Sequence, residues 1–133
     1  MTPAIEKRLL QFAVALVVLV PLSVSSMSIV QGPGAFGGAS NVPIDLDSHF
    51  RYLSGLFLMM GLWFAACIPG IERKGAQFRM LGAMVVAGGL ARLLSLVLIG
   101  TPSRGHVVGL ALELGVVPLL MLWQTRVARR ARD

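Results

Sequence analysis

Four long apolar runs constrain this chain more than any other feature. They occupy residues 9–30, 52–68, 80–100 and 107–123. A helix needs about 20 mostly apolar residues to cross the hydrocarbon of a bilayer, with a range of about 17–25, and all four runs qualify. Only helices and closed barrels satisfy their backbone polar groups in lipid. A barrel does not fit, because the runs are too long and lack period-two alternation. The expected fold is all-α, a four-helix transmembrane bundle forming a single membrane domain over residues 1–133.

Composition supports the same reading. Hydrophobic residues make up 56% of the chain and charged ones only 14%, against about 25% charged in a typical soluble domain. The net charge of +6 would suit nucleic acid if it covered one face of a soluble fold. Here the charges lie in short patches between apolar runs, so the bilayer is the expected partner and nucleic acid is not. The single cysteine, Cys67, excludes an internal disulfide and a multi-cysteine metal site. Lys7 and Arg8 precede the first run, and residues 23–25 have the small-x-small look of a cleavage site. The apolar character nevertheless resumes to Val30, which favours a retained helix.

Orientation follows from the cations near the span ends. Lys7, Arg8, Arg73, Lys74, Arg79, Arg126, Arg129, Arg130 and Arg132 fall on one side, Arg51 and Arg104 on the other. Both termini are therefore expected in the cytoplasm, with the 31–51 loop outside. The basic tail over 126–132 suits anionic headgroups and topology setting.

Arg92 and Glu113 lie well inside spans. A charge there costs about 2.5–3.5 kcal/mol on insertion scales, so each needs a partner. Arg92 sits about 12 Å below the outer end of span three and Glu113 about 10 Å below that of span four, at 1.5 Å per residue. The short loop between them makes these spans antiparallel neighbours. An Arg92–Glu113 ion pair is the economical inference, with guanidinium and carboxylate meeting bidentately. Ser95 lies three residues from Arg92, and His106 seven from Glu113. Arg51 and Ser54 share a face at the outer end of span two, with His49 just above. Gly55, Gly88 and Gly109 are expected to let helices approach. These residues suggest an outward-opening polar cavity lined by Arg51, Arg92 and Glu113, with a dry cytoplasmic half. Such a pair also has a purely architectural reading, fixing which helices pack and in what register.

The string Asp45-Leu46-Asp47-Ser48-His49 matches no zinc or calcium spacing. Asp47 or Ser48 is expected to cap span two. Pro21 and Pro118 are expected to kink spans one and four. No nucleophile with base and orienting residue stands out, and there is no phosphate-binding or dinucleotide fingerprint. Neither a catalytic residue, a metal nor a cofactor is assigned.

The string Leu46-Asp47-Ser48-His49-Phe50-Arg51-Tyr52-Leu53-Ser54-Gly55 carries a resemblance. So do Gly88-Gly89-Leu90-Ala91-Arg92-Leu93-Leu94-Ser95, Glu113-Leu114, Pro118 and Trp123-Gln124. Together they resemble a family of small bacterial membrane proteins, the domain of unknown function numbered 4345, over about residues 9–124. The family looks distantly like the DoxX-like four-helix proteins, some of which are linked to quinone redox chemistry. The resemblance implies a multi-pass protein of the bacterial inner (cytoplasmic) membrane and carries no established activity. The first expectation for function is binding of an amphiphile (lipid, quinone or fatty acid) with its head at Arg51 and Arg92. Ser54, Ser95, His49, His106 and Glu113 complete that candidate site. The alternatives are a membrane-interface enzyme using Glu113 as acid or base, and an accessory subunit of a larger complex. Ligand identity, catalysis and oligomeric state stay open.

Overall fold

A computed structural model describes residues 1–36 and 41–132. Among these residues the chain is helical and contains no strand. Four helices are long and apolar enough to cross a membrane: α1 over Pro3–Gln31, α2 over Ile44–Cys67, α3 over Gly75–Ile99 and α4 over Arg104–Arg130. The all-α expectation holds, and the helices run past the apolar runs at several ends. α2 begins about two turns before its run, with Pro43 at the cap position and no side-chain cap. Neither Asp47 nor Ser48 is therefore the N-cap. Asp45 and Asp47 sit inside the first turn, where carboxylates favour the positive end of the helix dipole. Of the glycine-rich stretch expected to be irregular, Gly32–Phe36 forms a 3₁₀ turn, while Gly37 and Gly38 lie outside the described residues.

The chain divides into two compact units, Met1–Gln11 with Pro69–Asp133, and Phe12–Ile68. In the first, Leu10, Ile71, Phe78, Leu81, Val117, Leu120 and Val127 form the core. α3 meets α4 through small residues. A Cβ on Gly89 would lie 2.8 Å from Leu114 Cδ2 and 2.9 Å from Glu113 Cβ, and one on Gly82 would collide with the Met121 side chain. Lipid tails are as apolar as leucine, so close van der Waals fit of this kind drives helix association. The glycines that allow approach are not those expected from sequence. Gly55 and Gly88 meet nothing within 4 Å, and Gly109 makes only ordinary contact with Arg92 and Glu113.

In the second unit, Val14, Val18, Ser25 and Ser28 bury one face of α1, and Ser54, Gly61, Phe64 and Cys67 one face of α2. Gly61 accommodates Leu22 and Pro21, 3.1 and 3.4 Å from its missing Cβ. Pro21 stays inside a continuous α1. Nearby hydroxyls turn inward to backbone oxygens: Ser23 Oγ donates to the Leu19 carbonyl at 2.7 Å and Ser25 Oγ to that of Pro21. Such back-bonding gives hydroxyls in an apolar setting a partner.

Large apolar side chains are exposed in each unit, among them Leu16, Leu56 and Trp63 in the second and Leu94, Val97 and Leu122 in the first. Soluble monomers rarely expose contiguous apolar patches of this extent, whereas lipid-facing helix surfaces require them.

Candidate functional site

Arg92 on α3 and Glu113 on α4 meet as a bidentate pair. Arg92 Nε donates to Glu113 Oε2 and Nη2 to Oε1, both at 3.0 Å. The two planar groups lie fork to fork, the geometry that makes arginine–carboxylate pairs strong and orientation-specific. Gly89 permits it, since its missing Cβ leaves room for that of Glu113. The carboxylate side chain is 13% exposed and the guanidinium side chain 31%. Arg92 thus covers its partner and leaves its own far edge open, beside Gly109, where a Cβ would lie 3.8 Å from the guanidinium carbon. Among the described residues its hydrogen bonds go to Glu113 alone, so Nη1 and one N–H of Nη2 remain as unused donors.

Glu113 sits in a π-helical turn, Leu112–Val116. The Val117 N–H bonds back to the Leu112 carbonyl, one residue further than in an α-helix. The cause lies just beyond. Pro118 has no N–H and its ring crowds the carbonyl four residues earlier, and a widened turn is a common adjustment in spanning helices. Such turns frequently occur at functional sites. The expected disturbance at Pro118 is therefore a local widening that carries the carboxylate.

The other candidate residues separate by unit. His106 lies at the start of α4, exposed, with Nδ1 2.9 Å from Ser103 Oγ. Ser95 is exposed on α3. In the second unit, Arg51 is held by Asp47 one turn earlier, Nε to Oδ2 at 2.8 Å and Nη2 to Oδ1 at 3.3 Å. Its Nη1 donates to the carbonyls of Ile29 and Val30. The guanidinium thereby caps the last turn of α1, where a cation complements the helix dipole. Gly32 with φ of +69° closes the turn, and a Cβ there would lie 2.6 Å from Arg51 Nη2. Ser54 Oγ returns to the Phe50 carbonyl at 2.7 Å, and His49 is exposed.

Sequence reasoning missed a second polar cluster at the basic end, just beyond the apolar runs. Glu6 is 2% exposed and is held by Arg126 Nε at 2.9 Å and Arg130 Nη1 at 2.7 Å. Two arginines of the basic tail are thus engaged inside the protein. Gln124 is fully buried and donates Nε2 to the Ile71 carbonyl at 2.9 Å. Lys7 pairs with Glu72 at 3.0 Å. Burial alone would push the Glu72 carboxyl up, but its own backbone N–H and the cations Lys7 and Arg73 outweigh this and hold it below its ordinary value. A count of cations at span ends contains no signal for these pairs. The available hint was the presence of Glu6 and Glu72 among those cations.

Four spanning-length helices with an ion pair inside the apolar stretch define the class, a small multi-pass membrane protein with a polar centre on facing helices. Residues 9–124 match the family described as Domain of unknown function (DUF4345), and the chain belongs to that family. The matched stretch contains Arg51, Arg92 and Glu113 and ends at Gln124; Glu6, Arg126 and Arg130 lie outside it. No curated protein and no solved structure matches the chain.

Proposed function

We propose that this protein binds an amphiphile, a lipid, quinone or fatty acid, with its polar head at the Arg92–Glu113 pair and its tail along α3 and α4. One observation carries the reading: Arg92 keeps unused donors at an open edge inside an apolar stretch. Donors without acceptors are costly in hydrocarbon, and a carbonyl, carboxylate or phosphate oxygen from an amphiphile supplies them. Glu113 fixes the guanidinium plane, so the open edge points one way. The expected outer-leaflet location follows from the cation distribution at the span ends. The test is mass spectrometry of the organic extract from purified protein. Wild type is expected to carry a stoichiometric amphiphile that Arg92→Ala loses. Wild-type protein that is reproducibly free of any amphiphile overturns the proposal.

A second reading, an accessory subunit or a homo-oligomer, is favoured by the small share of α3 and α4 covered within the chain. Only 11% of the most apolar window of each is buried, and Gly88 and Gly105 meet nothing within 4 Å. Purification in mild detergent separates the readings: a subunit brings down a partner, or further copies of itself, at fixed stoichiometry.

A further inference from the structure

A cleft of about 560 Å³ opens beside the segment joining α2 to α3 and the end of α4, lined by Glu72, Arg73, Ala128, Ala131 and Arg132. It belongs to the first unit and lies at the basic end, where nine of the chain's twelve cations fall.

Part of the charge at this end is already matched. Arg126 and Arg130 hold Glu6, and Lys7 holds Glu72. Of the two arginines lining the cleft, Arg73 keeps only a long, 3.7 Å ion pair with Glu72 and its side chain is 83% exposed, and Arg132 has no ion-pair partner among the described residues. The acid in the lining is shielded, since Glu72 is 15% exposed and faces Lys7. The cleft is therefore lined by two arginines, two alanines and a largely covered carboxylate. Its position selects the kind of anion. Glu72 and Arg73 follow the end of α2, and Ala131 and Arg132 follow the end of α4, so the cleft lies where the helices leave the hydrocarbon. The dense anion at that depth is a phospholipid phosphate, and arginine suits it through paired N–H donors.

We propose that this cleft is a binding site for the phosphate head of an anionic phospholipid of the adjoining leaflet, gripped by Arg73 and Arg132. It stands apart from the Arg92–Glu113 pair and does not depend on the function proposed for that pair. Glu72, paired with Lys7 at 3.0 Å and more loosely with Arg73 at 3.7 Å, leaves the Arg73 guanidinium able to turn to a phosphate.

The test uses full-length protein in detergent micelles with mixed phosphatidylglycerol and phosphatidylcholine, read by native mass spectrometry. Wild type is expected to retain one phosphatidylglycerol in preference to phosphatidylcholine. Arg73→Gln with Arg132→Gln is expected to reduce that preference on the order of tenfold, because two guanidinium groups lose direct charge-assisted contact with the phosphate. A control of equal charge loss, Arg8→Gln with Arg129→Gln, is expected to reduce it less than about twofold. All four side chains lie on the surface, and matching circular dichroism spectra verify the fold. Equal losses in both double variants, or an undiminished preference without Arg73 and Arg132, overturn the site. Inorganic phosphate at about millimolar concentration, below the screening range, is expected to leave the lipid bound. Displacement by phosphate alone overturns the headgroup assignment in favour of a free phosphate ligand.

Discussion

Arg92 and Glu113 each carry a charge that hydrocarbon opposes by about 2.5–3.5 kcal/mol on insertion scales. Two hydrogen bonds of 3.0 Å offset that cost jointly, so removing one member strands the other. Arg92→Ala and Glu113→Ala are each expected to destabilise the protein by about 3 kcal/mol, measured by reversible unfolding in detergent. The double alanine variant should cost clearly less than the sum, and exchanging the two residues should restore part of the loss. Additive single effects would show that the groups act independently. The pair was legible in the sequence because two intramembrane charges at matching depth on adjoining spans have few other solutions. Glu6 was not, since its partners Arg126 and Arg130 lie at the opposite end of the chain and nothing local connects them.

α3 and α4 come together where glycine removes a side chain, which makes neighbouring glycines behave differently. Gly89→Ala forces a Cβ to 2.8 Å from Leu114 Cδ2 and 2.9 Å from Glu113 Cβ. It is expected to cost about 1–3 kcal/mol, as overpacking does, and to loosen the ion pair. Gly88→Ala meets open space and should be neutral or slightly stabilising, because alanine favours helix. Thermal melts of the two variants side by side decide this. If both behave alike, the contact between the helices has been misplaced. Both glycines were visible in one motif, but which of them faces a neighbour depends on helix rotation. The apolar residues of a lipid-exposed helix do not mark one inner face, so the sequence favoured Gly88. The same limit applies to α2, whose start at Ile44 is hidden because its first two turns lie outside the apolar run.

At the scale of the whole molecule, the first unit is tied at its basic end by carboxylates, and Glu72 makes stability sensitive to acid. Glu72 is held below its ordinary value of 4.5. A group depressed in the folded state contributes stability above its unfolded value, and that contribution is lost as pH falls through the folded one. Stability from this group is therefore full above about pH 5 and declines below it. Glu72→Gln should flatten that acid limb in melts across about pH 3–6, while leaving the Arg92–Glu113 pair intact. An acid limb as steep as that of wild type would remove Glu72 from the account.

The helical class, the number of spans and the existence of an intramembrane ion pair follow from composition and order along the chain. Lipid demands internal backbone hydrogen bonding and neutralised charge wherever a segment crosses, and both demands are local enough to read. The clasp of Arg51 on the end of α1, the choice of Gly89 over Gly88 and the burial of Glu6 and Gln124 needed the folded coordinates. Each depends on how a helix is turned about its axis or on residues far apart in the chain, and uniform apolarity leaves those variables unmarked.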